Sequence, residues 1–330
     1  RAPRLPAGAR ELAPTLFKAF TGVEGVTLPD DPIQGAATLA EARAAFERLP
    51  AVRILFDNGA GAAPGIPAPA FERSYARWPI PGTRARAWYL AGDGTLADAR
   101  PGAGETAFTW DRRARPATDF TGDTSSGPGG LWTATPTYRW EPNPDGKAAS
   151  YLTGPLARDT TVIGGGKLEA WVKASVPDVD LQVTITEVRP DGNETFVQTG
   201  WLRSEHRVLD ARLSTPLEPW PTMSRADAAP LPRGRWAKLT VPLYYQGHVY
   251  RAGSRLRVIV AAPGGDQPVW EFGETRPRRG TARVRIAHGG RTPSRLVLPV
   301  VPGGAPTALP PCPSLRGQPC RPYVPSQSGA

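Results

Sequence analysis

Short apolar runs separated by turn residues make up most of the chain from about residue 151 onward. Apolar and polar positions alternate within these runs, as they do in strands with one covered face. We predict seven strands: LEAWVKA (168–174), DLQVTITEV (180–188), ETFVQTGWLR (194–203), WAKLTVPLYY (236–245), SRLRVIVAA (254–262), ARVRIAH (282–288) and SRLVLPV (294–300). Seven short strands with long connections predict a β-sandwich, most simply a jelly roll.

The first 50 residues carry the helical patterns. In ARELAPTLFKAF (9–20) one face holds Leu12, Leu16, Phe17 and Phe20. In TLAEARAAFERL (38–49) the apolar stripe is formed by Leu39, Ala42, Phe46 and Leu49. Thr38 and Glu41 have the spacing of a capping box, and Pro50 ends the second helix.

The run VRILF (52–56) is almost wholly apolar, which predicts a strand covered on both faces, as in an α/β sheet. An extended arm, the strand ARAWYL and a GDG turn follow it. A doubly wound domain needs several strand-helix-strand units, and the chain offers one. We therefore predict the incomplete end of an α/β domain and a crossover at 1–110.

Three further regions follow in this scheme. Residues 111–150 form a turn-rich linker that contains TGDTSSGPGG. The sandwich occupies 151–302. Residues 303–330, rich in Pro, Ser and Gly, form a Pro-rich tail that we expect to be poorly ordered. The overall class is mainly β.

The net charge of +10 raises the question of a nucleic-acid partner. The basic residues are mostly Arg and are scattered singly, and the densest cluster, RPRR at 276–279, has no interleaved aromatic residues. We therefore expect no nucleic-acid partner. No apolar run approaches the length of a transmembrane helix, so no membrane span is expected.

The two cysteines, Cys312 and Cys320, lie in the tail segment PPCPSLRGQPC. Zinc needs about four ligands, and no His is near. An eight-residue spacing around a Gly can close as a local disulfide, and the sequence leaves this open. A disulfide favours a secreted or cell-envelope protein over the cytoplasmic alternative. The chain begins RAPRLPAGAR without Met, which we interpret as a processed or truncated start, so a missing signal peptide says nothing about targeting.

The sequence offers no recognisable hydrolytic triad. No Ser is flanked by glycines at the −2 and +2 positions, as a nucleophile elbow requires. Ser125 and Ser126 lie in the linker with no apolar strand before them. For His206, His248 and His288 we expect structural hydrogen bonding, because no spacing places an acid and a nucleophile beside them. We assign no catalytic, cofactor-binding or metal-binding residue, and no cofactor.

The segment PDVDLQVTITEVRPDGNETFVQTGWLR contains a candidate acidic cluster, Asp178, Asp180, Asp191 and Glu194. The two pairs are separated by a strand length, which is unlike the alternating ligands of an EF-hand loop. Pro190 to Asn193 is a good β-turn sequence. We interpret the acids as the polar ends of a β-hairpin, with a slip in register near Val188.

The tryptophans allow a second functional class. Jelly rolls often carry exposed Trp residues that stack on sugars. Trp171, Trp201 and Trp236 lie in predicted strands and are expected in the core. Trp140 and Trp220 lie in loops and are expected to be exposed. Trp132 and Trp270 belong to the same Trp-rich set of segments.

Three stretches in the right order carry a family resemblance: PDVDLQVTITEVRPDG (177–192), GHVYRAGSRLRVIVAAP (247–263) and PSRLVLPVVP (293–302). They resemble the C-terminal jelly-roll domain, of galactose-binding-like type, in the cocaine esterase / X-Pro dipeptidyl-peptidase (CocE/NonD) family of serine hydrolases. The resemblance spans roughly residues 50–302. One departure is that the family often has His where Ser254 stands.

The resemblance implies that the catalytic Ser, Asp and His lie upstream of this region, so none is carried over to this chain. The chain is then expected to be the non-catalytic C-terminal half of a serine hydrolase, with no activity alone. Its implied partner is the N-terminal catalytic half, through which an ester or peptide substrate is bound. The alternative is a stand-alone jelly-roll module that binds glycans or the cell surface. The hydrolase hypothesis predicts an exposed apolar face along 9–20 and 52–56.

Overall fold

The computed structural model describes residues 7–28, 30–31, 33–57, 68–115, 140–265, 281–303, 308–314 and 318–325. The chain forms two compact units. Among the described residues, the first unit holds those up to Pro81 together with 308–314, and the second holds the others from Gly82 onward. None of the described helices has the length and hydropathy needed to cross a membrane.

The first unit contains two helices and a two-stranded antiparallel sheet. Its elements are α1 (Ala7–Thr21), α2 (Leu39–Glu47), β1 (Val52–Phe56) and β2 (Phe71–Tyr75). The predicted capping box of α2 is confirmed: Glu41 N donates to Thr38 Oγ1 at 3.2 Å, and Thr38 N donates to Glu41 Oε2 at 3.1 Å.

The prediction that β1 is covered on both faces was wrong. β1 pairs with β2 alone, in antiparallel register, and its residues alternate between partly buried and exposed until Phe56. Phe56 is fully buried and stacks on Phe71 with ring centroids 4.7 Å apart. The segment expected to be an extended arm therefore supplies a strand.

The second unit is almost entirely β. Its strands are β3 (Arg84–Leu90), β4 (Leu96–Ala97), β5 (Gly104–Trp110), β6 (Ala148–Leu152), β7 (Thr160–Gly164), β8 (Lys167–Ala174), β9 (Asp180–Val188), β10 (Asn193–Arg203), β11 (Ala237–Pro242), β12 (Gln246–Tyr250), β13 (Arg255–Ala261), β14 (Ala282–His288), β15 (Arg295–Val301) and β16 (Cys320–Pro322). One short 3-10 helix, Ser204–His206, follows β10.

Two sheets pack face to face around one core. The five-stranded sheet has the order β16-β10-β9-β13-β6, and the larger sheet has the order β12-β7-β15-β8-β14-β5. In the larger sheet β11 also pairs with β8, β3 pairs with β15, and β4 pairs with β3. Their facing side chains form one cluster, for example Leu181, Val183 and Ile185 against Leu168, Ala170 and Val172. This architecture confirms the predicted mainly β class with a jelly-roll sandwich.

All seven predicted strands are present within one to three residues, but the sandwich is larger than the pattern indicated. β3, β4 and β5 were placed in the first domain by sequence, and they belong to the second compact unit. β6 begins inside the predicted linker, whose TGDTSSGPGG lies outside the described residues. The division of the chain into four regions remains a prediction.

The expectation of a poorly ordered tail was wrong for residues 318–325. This segment supplies β16, which pairs antiparallel with the start of β10 through Asn193, Glu194 and Thr195. Both cysteines of the chain, Cys312 and Cys320, are disulfide-bonded. The Pro-rich sequence of this segment shows no alternation of apolar and polar residues, so it did not predict a strand. The segment pairs because the start of β10 presents unpaired backbone groups at the edge of its sheet.

Candidate functional site

The hairpin interpretation of the acidic segment is confirmed. β9 and β10 pair antiparallel, and Arg189 N donates to Asn193 O across the turn at 2.7 Å. Gly192 takes a φ of 83° there, a left-handed conformation that favours glycine. The register irregularity, predicted near Val188 of β9, lies instead in β10 between Phe196 and Gln198.

Asp178 and Asp180 hold the far end of the hairpin. Asp178 Oδ1 accepts hydrogen bonds from Ser204 Oγ at 2.6 Å and from the Glu205 amide at 3.0 Å. Asp180 Oδ1 accepts from Arg203 Nε at 2.8 Å. Both carboxylates thus fix the chain where β10 enters the 3-10 helix, which is a structural role.

Asp191 holds the turn itself. Its Oδ2 accepts from Arg189 Nη2 at 2.6 Å and its Oδ1 from the Asn193 amide at 3.1 Å. Partial burial raises the pKa of Asp191, and these two donors lower it by more, so the net pKa lies below its ordinary value.

Glu194 does not fit the description of a polar hairpin end, because it is completely buried. Arg257 Nη1 donates to Oε1 at 2.8 Å, and Thr186 Oγ1 donates to the same oxygen at 2.8 Å. Arg321 of β16 donates to Oε2 from Nε and Nη2 at 3.0 and 2.9 Å. Both carboxylate oxygens are therefore occupied by cationic donors.

The described part of the chain contains no cluster of side chains suited to bind a metal ion. No group of three or more His, Cys, Asp and Glu side chains among those residues could hold a metal ion. The four acids of the hairpin are separated into pairs, and each contacts an arginine, a serine or a backbone amide.

A buried Ser, Glu and His lie together where β9, β12 and the start of β13 meet. Ser254 Oγ donates to Glu187 Oε1 at 2.6 Å, and Glu187 Oε2 contacts His248 Nε2 at 2.7 Å. In a hydrolytic triad the imidazole contacts the serine, and the carboxylate orients the imidazole. Here the carboxylate lies between the other two, and Ser254 is fully buried. The cluster is therefore a structural network.

The negative charge of Glu187 is stabilised by its neighbours in this network. Burial raises the pKa of Glu187, but His248, Ser254 and the Arg251 amide lower it by more, so Glu187 stays ionised. This trio was missed by sequence reasoning, because Glu187 lies within a predicted strand and Ser254 entered only as a departure from the family. The available signal was that Glu187 takes the next place in the alternation of Leu181, Val183 and Ile185, where an apolar residue is expected.

His288 and His206 also make structural contacts. His288 Nε2 lies 3.2 Å from both Tyr151 Oη and Thr106 Oγ1 in the core, and burial lowers the pKa of the imidazole. His206 lies 3.6 Å from the Glu205 carboxylate. That no histidine of this chain is catalytic remains a prediction.

The tryptophans separate into buried and exposed residues. Trp220 is 52% exposed, as its loop position predicted. The expectation for Trp140 was wrong: it is buried, edge-on to Phe196 with centroids 6.3 Å apart, and the Arg321 guanidinium lies 3.8 Å from its ring centroid. Trp171, Trp201 and Trp236 are half-buried, so they are not full core residues, and Trp132 and Trp270 lie outside the described residues.

The first unit exposes large apolar side chains on both helices. On α1 these are Leu12, Leu16 and Phe20, each about half exposed, and on α2 they are Leu39 and Phe46, each about two thirds exposed. Only the small Ala42 and Ala45 of α2 are buried. An open apolar groove is lined by Ala13, Leu16, Phe17, Phe20, Val26 and Leu28. Most large side chains of the predicted apolar stripes therefore lie at the surface, whereas Ala42 of the α2 stripe is buried.

Two neighbouring tyrosines of the second unit are exposed. Tyr244 and Tyr245, between β11 and β12, are 58% and 55% exposed. Tyr245 Oη donates to Glu218 at 2.8 Å, and Tyr244 meets Trp201 edge-on with centroids 5.3 Å apart. Trp220, which is also exposed, follows Glu218 by two residues in the chain.

Residues 44–297 match the family model of the X-Pro dipeptidyl-peptidase C-terminal non-catalytic domain. Over 196 residues the chain is 28% identical to proteins of Mycobacterium bovis and Mycobacterium tuberculosis whose names designate a serine esterase. Each match covers 57% of this chain and 30% of the relative, so the chain spans less than a third of the length of these curated relatives.

Solved structures share the fold. A CocE/NonD family hydrolase from Staphylococcus aureus superimposes with a TM-score of 0.50 at 21% identity, and an α-amino acid ester hydrolase with a TM-score of 0.50 at 17% identity. Each covers 70% of this chain and 39% of the other. The family match extends over more than three quarters of the chain. The chain belongs to the family of X-Pro dipeptidyl-peptidase C-terminal non-catalytic domains.

Proposed function

We propose that this chain is the non-catalytic C-terminal part of a serine hydrolase of the CocE/NonD type. In this proposal it packs on a catalytic domain that supplies the Ser, Asp and His of a triad, and it frames the active-site surface. The substrate class is an ester or an amide, including the X-Pro peptide bond. Family membership and the names of the relatives support this hydrolase class.

The observation that carries the proposal is the exposed apolar surface of the first unit. Leu16 and Phe20 of α1 and Phe46 of α2 are 48 to 64% exposed. Exposed apolar side chains in this number mark a place where another protein segment packs. The resemblance assigns these helices to the end of the hydrolase domain, so the missing layers of that domain are the expected cover.

The test compares the chain alone with the chain co-expressed with the region encoded directly upstream of Arg1. A fluorophosphonate probe should leave this chain unlabelled and should label one Ser of the upstream region. Ser254→Ala is the matched control, because Ser254 is buried and its replacement should not change labelling. A stop codon or a signal peptide directly upstream, or stoichiometric labelling of a Ser in this chain, would overturn the proposal.

The second candidate is the stand-alone module that binds glycans or the cell surface. The exposed rings of Trp220, Tyr244 and Tyr245 favour it, since such rings stack on sugars. A screen against neutral glycans tests it: binding by the chain alone that is lost in Trp220→Ala and in Tyr244→Ala supports this candidate. No binding to any neutral glycan counts against it.

We also propose a secreted or cell-envelope location. The disulfide-bonded state of both cysteines supports it, because disulfides persist in oxidising compartments. Fractionation of the native host tests the proposal. Recovery of the protein in the cytoplasm with both thiols reduced contradicts it.

A further inference from the structure

The outer face of the larger sheet is strongly basic. Core residues of β8, β11, β14 and β15 alternate with residues that point away from the core. The outward positions carry six basic side chains: Lys167, Lys173, Lys238, Arg283, Arg285 and Arg295. We call these six residues and Trp171 the basic face. Three of the five lysines of the chain lie on it.

Two carboxylates on this face leave most of the positive charge uncompensated. Glu169 accepts from Arg295 Nε at 2.6 Å and from Lys238 Nζ at 3.1 Å, and Lys167 Nζ lies 3.2 Å away. Glu105 pairs with Arg285 at 2.8 Å. Three cations therefore share one carboxylate at Glu169.

Two like charges lie directly opposite each other on neighbouring strands. Lys173 of β8 is the register partner of Arg285 of β14. Like charges in this arrangement destabilise a sheet. The Lys173 ammonium lies 4.4 Å from the Trp236 ring centroid, which holds it at the face. Even with Glu105 beside Arg285, two cations stand side by side at the face, an arrangement that a bound anionic partner would stabilise.

Trp171 lies in the middle of these charges. It is half-buried, its cross-strand partner on β11 is Lys238, and Lys173 is the next outward residue along β8. An aromatic ring bordered by cations on a flat sheet offers two contacts at once: the ring stacks on the apolar face of a flat group, and the cations bind acidic groups on either side.

We propose that the basic face binds a polysaccharide of acidic sugars. A carboxylated pyranose provides both an apolar ring face for Trp171 and a carboxylate for Lys173 or Lys238. Single-stranded nucleic acid is less suited, because its binding sites use several aromatic rings for successive bases, and this face centres on one. An acidic polypeptide would use the charges but not the ring. This proposal does not depend on the hydrolase function.

The test measures binding of the full chain to polygalacturonate at low and at high salt. The same polymer with its carboxylates methyl-esterified keeps the sugar rings and removes the charge. Poly-L-glutamate and oligothymidylate serve as acidic polymers without sugar acids. The variants are Lys173→Gln/Lys238→Gln, Trp171→Ala and Trp171→Phe, and the matched control is Arg43→Gln/Arg48→Gln, two exposed charges of the first unit.

We expect polygalacturonate binding that weakens at high salt and is absent for the esterified polymer. The lysine double variant should bind at least about fivefold more weakly. Trp171→Ala should weaken binding several-fold, Trp171→Phe should retain it, and the arginine control should match the original chain. If Trp171→Ala does not fold, the lysine variant and the polymer comparison decide the question.

Three results would overturn the proposal. One is no binding of polygalacturonate at low salt. Another is equal binding by the lysine variant and the arginine control, which would place the contact elsewhere. The third is equal or tighter binding of poly-L-glutamate or oligothymidylate, which would assign the face to an acidic protein or to nucleic acid.

Discussion

Arg321, near the C-terminal end of the described chain, donates two hydrogen bonds to one carboxylate oxygen of the fully buried Glu194. This contact joins β16 to the hairpin that also carries the strongest family resemblance. Arg257 binds the other oxygen at 2.8 Å. Removing one partner from a buried ion pair leaves the remaining charge poorly compensated in the core.

Replacing Arg321 with Met should therefore lower the free energy of unfolding by about 2–4 kcal/mol, because Glu194 loses one of its two cations in the core. Urea unfolding measures the change. The matched control is Arg285→Gln, which removes an arginine paired with Glu105 at a similar distance but about 40% exposed; its cost should stay below about 1 kcal/mol. Equal losses in the two variants would show that burial does not control the effect.

Gly200 of β10 marks a close approach of two backbones. A Cβ at this position would lie 2.0 Å from the Pro242 carbonyl oxygen of β11. Gly200→Ala must displace one strand, and we expect a loss of about 3 kcal/mol or more in unfolding free energy. Gly154→Ala is the control, since a Cβ there meets no atom within 4 Å, and it should change stability by less than about 1 kcal/mol. A Gly200→Ala variant as stable as the Gly154→Ala control would contradict the close approach of β10 and β11.

Glu169 should make stability depend on pH in the acid range. Burial would raise the pKa of Glu169, but hydrogen bonds from Arg295 and Lys238 and the charge of Lys167 lower it to about 2. A folded-state pKa below the unfolded one adds stability above about pH 5, and this is lost as the pH falls toward 2. The contribution is on the order of 2–3 kcal/mol.

The measurement compares urea unfolding of the original chain and of Glu169→Gln at pH 7, 4 and 3. The difference between the two proteins should shrink steadily as the pH is lowered, because the unfolded form of the original chain binds a proton at Glu169 while the folded form still holds the carboxylate ionised. Two pH profiles that run parallel down to pH 3 would remove Glu169 as the cause.

The exposed apolar helices of the first unit should cause self-association of the isolated chain. Leu16→Gln and Phe46→Gln replace large exposed side chains with a residue of good helix propensity. We expect less association by size-exclusion chromatography with light scattering, and a change in unfolding free energy below about 1 kcal/mol. Leu239→Gln in the core is the contrast, and it should unfold the sandwich. Unchanged association in both surface variants would mean that this surface does not attract other chains.

The strand pattern of the sandwich could be predicted from the sequence because apolar residues recur at every second position. β9 (Asp180–Val188) and β14 (Ala282–His288) have the predicted bounds. The capping box of α2 and the hairpin turn could be predicted equally well, since both depend on residues a few positions apart. Local chemistry determines these features, so a local pattern is sufficient.

The burial of Glu194, the irregularity in β10 and the strand β16 were decided by tertiary contacts. Arg257 and Arg321 lie 63 and 127 residues from Glu194 in the chain, so no local pattern links them. The same holds for Ser254 and Glu187, and for the charges that β8, β11, β14 and β15 bring to the basic face. By itself the sequence determined the seven strands whose apolar alternation is local; the pairing of distant strands determined which charges are buried together and which are left at the surface.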